Sequence, residues 1–237
     1  DQCGSRGLGD VYKRQELGLP KGVFNLIHGL GPEVGQAILE HPGIKAISFT
    51  GGTETGRIVA RTAAPMFKKL SLELGGKNAT VVFADADLQS AVEGAVRAAF
   101  TNSGQVCLCG SRIFIEEKIS KQFKHLFVEK VNAIKIGNPM DEATEMGTVI
   151  SPEHLLKVES YIDLAEEEGG IILAGGTREM TGYNGPEGIG AFLRPTVVDN
   201  LPYTSRCATE EIFGPMVTLH SFTSCLLYTS PSPRDPH

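Results

Sequence analysis

The stretch "IKAISFTGGTETGRIVARTAAPMFKKLSLELGGK" (44–77) decides the fold. Its opening residues, 44–49, form a short apolar run that reads as a buried strand. Residues 53–66 carry helical spacing, and 68–74 return to strict alternation. That alternation puts Leu70, Leu72 and Leu74 on one face and Ser71 and Glu73 on the other. A strand, a helix of ten or more residues and a second strand make a parallel βαβ unit, because parallel neighbours need a long crossover.

The same rhythm runs outward in both directions. Upstream, "GVFNLIHG" (22–29) reads as a strand and "GPEVGQAILEH" (31–41) as a helix with proline near its start. Downstream, 78–84 reads as a strand. In 87–104, Leu88, Ala91, Val92, Ala95, Val96 and Ala99 recur at steps of three and four, as in an amphipathic helix that stops at Gly104. Residues 111–117, 171–175, 192–198 and 215–222 read as strands, and about 119–134 and 151–168 as helices, the last opening on the cap Ser-Pro-Glu. The class is α/β, with a parallel sheet of βαβ units. The ends 1–15 and about 225–237 lack periodicity and read as artefactual, non-native segments, so they are set aside from the fold.

Composition excludes several functions. The chain of 237 residues is 41% hydrophobic and 21% charged, with a formal net charge of −6. No basic stripe is present, which argues against nucleic acid as partner. No run of about 18 apolar residues is present, which argues against a membrane span, and no signal segment opens the chain, which favours the cytoplasm. Of five cysteines, Cys3 and Cys225 lie in the excluded ends. Cys107, Cys109 and Cys207 are an odd number, without the paired spacing that zinc prefers, so neither a disulfide framework nor a metal site is expected.

Three features could carry chemistry. Two glycine-rich strand-to-helix turns, "GLGPEVG" (29–35) and "GGTETG" (51–56), sit where backbone N–H groups can face a phosphate or cofactor, although neither matches a standard dinucleotide or P-loop signature. Glu73 lies at the C-terminal end of its strand, where parallel sheets keep their ligands; the alternative is a solvated strand-end acid. Cys107 follows a helix in "TNSGQVCLCG" (101–110), flanked by Gly104 and Gly110, and could be a buried structural thiol or a nucleophile on a loop.

Taken together, these residues resemble the NAD(P)-dependent aldehyde dehydrogenase superfamily over roughly residues 16–224. "FTGGTETG" (49–56) resembles its cofactor turn, "LELGGK" (72–77) its glutamate motif, "NSGQVC" (102–107) its nucleophile loop and "EEIFGP" (210–215) its ribose-binding segment. The four stand in family order. "CLCGSR" and residues 64–78 also resemble the 2-aminomuconic/2-hydroxymuconic semialdehyde dehydrogenase branch.

The resemblance implies the second half of a Rossmann-type cofactor domain (16–75) followed by part of an α/β catalytic domain (76–224). It implies that Cys107 attacks an aldehyde to give a thiohemiacetal and then a thioester, its backbone N–H lending half of an oxyanion hole, and that Glu73 activates the hydrolytic water. It implies that Gly31 and Pro32 wall the adenine of NAD or NADP, with NAD favoured, and that Gly51, Gly52 and Gly56 pass under adenosine and pyrophosphate. Leu74, Glu211 and Phe213 complete the cofactor contacts, Glu211 on the nicotinamide ribose. The implied partner is a small aldehyde, possible assemblies of the parent being homo-dimers or homo-tetramers, and a non-catalytic structural or binding relative is the alternative. The chain contains no Trp, and so lacks the family's Pro-Trp-Asn stretch with its oxyanion asparagine. It therefore reads as an internal fragment of a longer enzyme, inactive by itself.

Overall fold

A computed structural model describes residues 13, 16–20, 22–179 and 190–223. Of the terminal stretches 1–15 and 225–237, only residue 13 is among them. The chain divides into two compact units at Leu74/Gly75.

In the first unit, a π-helical turn (Gly31–Gly35) leads into helix α1 (Gln36–Glu40). Strand β1 (Ala46–Gly51), helix α2 (Thr53–Ala63) and strand β2 (Lys69–Leu74) follow. The strands pair in parallel, from Ala46 opposite Lys69 to Gly51 opposite Leu74, as the alternation and the crossover length require. Helix α2 buries Gly56, Val59 and Ala63 at helical spacing. It ends in a 3-10 turn (Ala64–Met66) and a left-handed Phe67, φ 54°. Proline at 65 cannot donate the next helical hydrogen bond. The small core is Leu39, Ile47 and Val59.

The strand expected at 22–29 is absent. That stretch has no ladder among the described residues, and Val23, Leu26 and Ile27 stand exposed. An apolar run becomes a strand only where another backbone lies alongside to take its hydrogen bonds.

The second unit is a five-stranded sheet in the order β3-β4-β7-β6-β5. Its strands are β3 (Ala79–Val82), β4 (Arg112–Glu116), β5 (Ile171–Ala174), β6 (Thr196–Asp199) and β7 (Met216–Phe222). Its helices are α3 (Leu88–Phe100), α4 (Glu117–Asn132), α5 (Pro152–Glu167) and the short α6 (Arg206–Thr209). Asp87 caps α3 by accepting from the Ser90 N–H, and Ser151 caps α5 by accepting from the His154 N–H. Three of the four pairings are parallel; β5 runs antiparallel to β6 with a bulge between Ile172 and Ala174, so the all-parallel expectation fails at this edge. Strand β6 begins four residues later than the apolar run at 192 suggests, since Pro195 has no N–H for a ladder. The core stacks Phe123 on Phe127 beside Ile113, Ile115, Val217 and Leu219, and a second cluster gathers Leu155, Val158 and Ile162 of α5 with Val198 and Met216.

Candidate active site

In the first unit, the expected site residues converge on the C-terminal ends of β1 and β2. Thr50 pairs with Glu73 and Gly51 with Leu74, so Glu73 stands level with the Gly51–Gly52 turn that opens α2. Glu73 is exposed and Leu74 half-buried. Gly56 is buried one turn into α2, where a Cβ would run into the methyls of Leu74, so any larger residue there must displace the Leu74 side chain. Gly52 has open space where a side chain would be. Gly31 and Pro32 are exposed at the start of the π-helical turn, one connection earlier, and Gly31 is likewise open.

In the second unit, the nucleophile loop is built by three successive left-handed residues after α3: Asn102 (φ 52°), Ser103 (φ 55°) and Gly104 (φ 70°). Two of them are not glycine, a conformation that costs roughly 1–2 kcal/mol each and persists only where surroundings enforce it. The enforcement is visible. The Asn102 amide donates to the Gln105 carbonyl at 3.1 Å, and the Ser103 hydroxyl donates to the Gly147 carbonyl at 3.2 Å. The Gln105 Oε1 accepts from the Ile150 N–H at 2.9 Å. A Cβ on Gly104 would collide with the Gly214 carbonyl, so the loop meets the 210–215 segment backbone to backbone.

These contacts deliver Cys107 exposed at the turn. Its carbonyl accepts a 2.6 Å hydrogen bond from the Asn78 Nδ2, while among the described residues its own N–H has no partner. Cys109 and Cys207 are buried, and burial raises both thiols, Cys207 to about 12. The three cysteines thus separate into one thiol facing solvent and two held protonated.

Glu211 and Phe213 line a narrow cavity with Gly76, Gly104, Val106 and Cys109 of the same unit. The Glu211 carboxylate lies over Gly75, where any Cβ would displace it. Phe213 is left-handed (φ 60°), and its carbonyl meets the His154 Nε2 at 2.6 Å. Glu210, by contrast, turns away: it forms an ion pair with Arg206 at 2.8 Å and accepts from the Tyr161 hydroxyl at 2.6 Å. Arg206 holds its carboxyl below the ordinary carboxylate range.

Sequence reasoning missed three residues here. Lys77 is buried with no hydrogen-bond partner for its ammonium among the described residues, and burial lowers it to about 7, the nearby Cys207 and Glu211 opposing that fall and Arg112 and Lys157 adding to it. Asn78 and His154 carried no signal beyond their types, since both contacts join segments far apart in sequence. Among the described residues no cluster of His, Cys, Asp or Glu could hold a metal ion, and no helix is long and apolar enough to cross a membrane.

Residues 12–225 match the model of the aldehyde dehydrogenase family. The chain is 44% identical over 209 residues to 2-aminomuconic semialdehyde dehydrogenase of Mus musculus, covering 88% of this chain and 43% of that protein. It is 44% identical over 216 residues to betaine aldehyde dehydrogenase of Bacillus subtilis, covering 90% and 43%. It superposes on the betaine aldehyde dehydrogenase of Staphylococcus aureus in complex with NAD+ with a TM-score of 0.83 at 43% identity, covering 89% of this chain and 41% of that one. The chain spans less than half the length of these relatives. The α/β architecture is that of this family's solved members. With the matching fold, this extent of identity leaves one assignment: the chain belongs to the aldehyde dehydrogenase family.

Proposed function

We propose that the chain carries the thiol nucleophile and much of the cofactor surface of an enzyme that oxidises an aldehyde, of the semialdehyde class, to a carboxylic acid with NAD. In this reading the first unit, ending at Leu74, is the partial cofactor domain, and the second, from Gly75, the partial catalytic domain. The observation that carries it is Cys107, the exposed thiol among the three of the described residues, fixed by Asn78 on a strained loop packed against the Glu211–Phe213 segment. The names of the relatives, semialdehyde and betaine aldehyde dehydrogenases, support a small aldehyde as substrate and NAD as cofactor.

The residues fit the cofactor. Gly31 and Gly52 leave open backbone on which a flat group can lie, and the N-terminus of α2 at Gly52–Thr53, which no N-cap side chain caps, can turn its first N–H groups to a pyrophosphate. Leu74 packs against Gly56 beneath that turn. Glu211, a carboxylate set over a glycine, can accept from ribose hydroxyls, and Phe213 packs beside it. When bound, NAD supplies the hydride acceptor.

The Cys107 sulfur, as thiolate, attacks the aldehyde carbon and forms a C–S bond, and the oxygen takes up the negative charge. In this reading the Cys107 N–H, which has no partner among the described residues, donates to that oxyanion. Loss of hydride from the same carbon leaves a thioester on Cys107. Glu73 takes a proton from water, whose oxygen adds to the thioester carbon; the C–S bond breaks, returning the thiolate and releasing the acid. The 237 residues alone lack the family's Pro-Trp-Asn donor, and no turnover is expected of them.

Iodoacetamide labelling of the chain tests the reading. At pH 8, Cys107 is expected to alkylate at least tenfold faster than Cys109 or Cys207, because thiolate reacts and burial keeps the other two protonated. Equal labelling of all three in the folded chain would favour a non-catalytic relative.

A further inference from the structure

Helix α5 turns one face of its first two turns onto the segment that carries Glu211 and Phe213. The His154 ring nitrogen Nε2 lies 2.6 Å from the Phe213 carbonyl, and the Lys157 ammonium donates to the Glu211 carbonyl at 3.4 Å. A Cβ on Gly214 would run into the methyls of Val158. Positions 154, 157 and 158 follow the i, i+3, i+4 pattern of one helical face. The Ser151 cap accepts from the His154 N–H at 3.1 Å and so fixes the turn from which the ring projects.

Chemistry settles the direction of the shortest contact. A carbonyl only accepts, so Nε2 carries the hydrogen, and protonating Nδ1 leaves that donor in place. The bond therefore survives in both charge states of the imidazole. What it holds is unfavourable by itself: Phe213 is left-handed, φ 60°, a conformation a bulky residue avoids. The imidazole also stands edge-on to the Phe213 ring, centroids 6.3 Å apart at 75°. On its other side the segment meets the nucleophile loop, where Gly104 abuts the Gly214 carbonyl.

We infer that His154 is a positioning residue: through its Nε2–H bond it locks Phe213 in the left-handed conformation that turns Glu211 and Phe213 toward the cavity shared with the nucleophile loop. The inference rests on the reading of Glu211 and Phe213 as cofactor-facing residues.

Hydrogen exchange followed by mass spectrometry tests it on the full chain and on His154→Ala, His154→Phe and His154→Gln. The Phe variant keeps a ring without a donor, and the Gln variant keeps a donor without the ring. The Ala and Phe variants are expected to exchange about tenfold faster across 211–216, as loss of one hydrogen bond of ordinary strength implies. Gln should return the rate toward that of the parent, and exchange in α4 should not change. The inference is overturned if all three variants exchange like the parent across 211–216, if Gln is no slower than Phe, or if acceleration spreads equally to α4. NAD binding by the same four chains is measured in parallel, with a weaker dissociation constant expected for Ala and Phe and restored by Gln. A parent chain that binds no NAD counts against the proposed function alone, because the exchange pattern still decides the role of His154.

Discussion

The two units solve the same problem with unequal means. The first holds the densest motifs of the chain, yet its buried apolar core is Leu39, Ile47 and Val59 around a two-stranded sheet. The second surrounds five strands with fully buried Phe114, Phe123, Phe127 and Phe192 and two extended clusters. A two-stranded sheet is marginal in water without further packing. The difference teaches where precision resides. The strained nucleophile loop belongs to the unit whose core can enforce it, whereas the Gly51–Gly56 turn needs only open backbone and a close helix.

The largest expected effect comes from cutting the better core. Phe127 is fully buried and stacks on Phe123, centroids 5.7 Å apart. Phe127→Ala should cost the second unit about 3–5 kcal/mol, while Val59→Ala, which removes two methyl groups from the small core, should cost the first about 1.5 kcal/mol. Denaturant unfolding followed by hydrogen exchange separates the two. Equal losses, or a single transition shared by both variants, would sink the contrast.

Acid should distinguish the units next. His220 is buried in the second, its ring stacked 5.1 Å from Phe114 and hydrogen-bonded to Thr218 at 2.9 Å. Burial lowers it from 6.5 to about 4, the Arg112 charge adding to the fall. Below pH 6.5 the unfolded chain binds a proton that the folded chain refuses, so this contribution is whole above 6.5 and is lost as pH falls toward 4. At about 1.4 kcal/mol for each pKa unit, the loss approaches 3 kcal/mol. His220→Gln should flatten the pH dependence of the second unit's stability between pH 6.5 and 4. An unchanged slope would remove His220 as the cause.

This contrast also explains what could be read from sequence. The βαβ unit at 44–74 was legible because alternation, crossover length and glycine turns are all local. So was the loop position of Cys107, through its motif, whereas its exposure is a finding of the fold. The strand expected at 22–29 was not, since apolar character reports a wish for cover and not the presence of a ladder partner. The antiparallel turn of β5 depends on tertiary pairing, and Arg206–Thr209 is too short for periodicity, with Ser205 as its sole cue. His154 and Asn78 were invisible for the same reason: each acts across a sequence gap that no local pattern spans.

The smallest expected effect probes how firmly the second unit holds its strained loop. Gly104 has φ 70° and lies against the Gly214 carbonyl, so alanine there must accept the left-handed region and also push the two backbones apart. The conformational part costs roughly 1–2 kcal/mol. Because the large core resists, the displacement should fall on the loop and not on the sheet. Gly104→Ala is expected to destabilise the unit by at least this conformational cost and to change the Cys107 alkylation rate several-fold, with Cys207 still protected. Gly52→Ala in the first unit is the matched control, since open space surrounds that position and its φ of −67° suits alanine. A loop that is merely tethered would give both variants the same Cys107 rate; a loop held under strain by its core gives the change to Gly104→Ala alone.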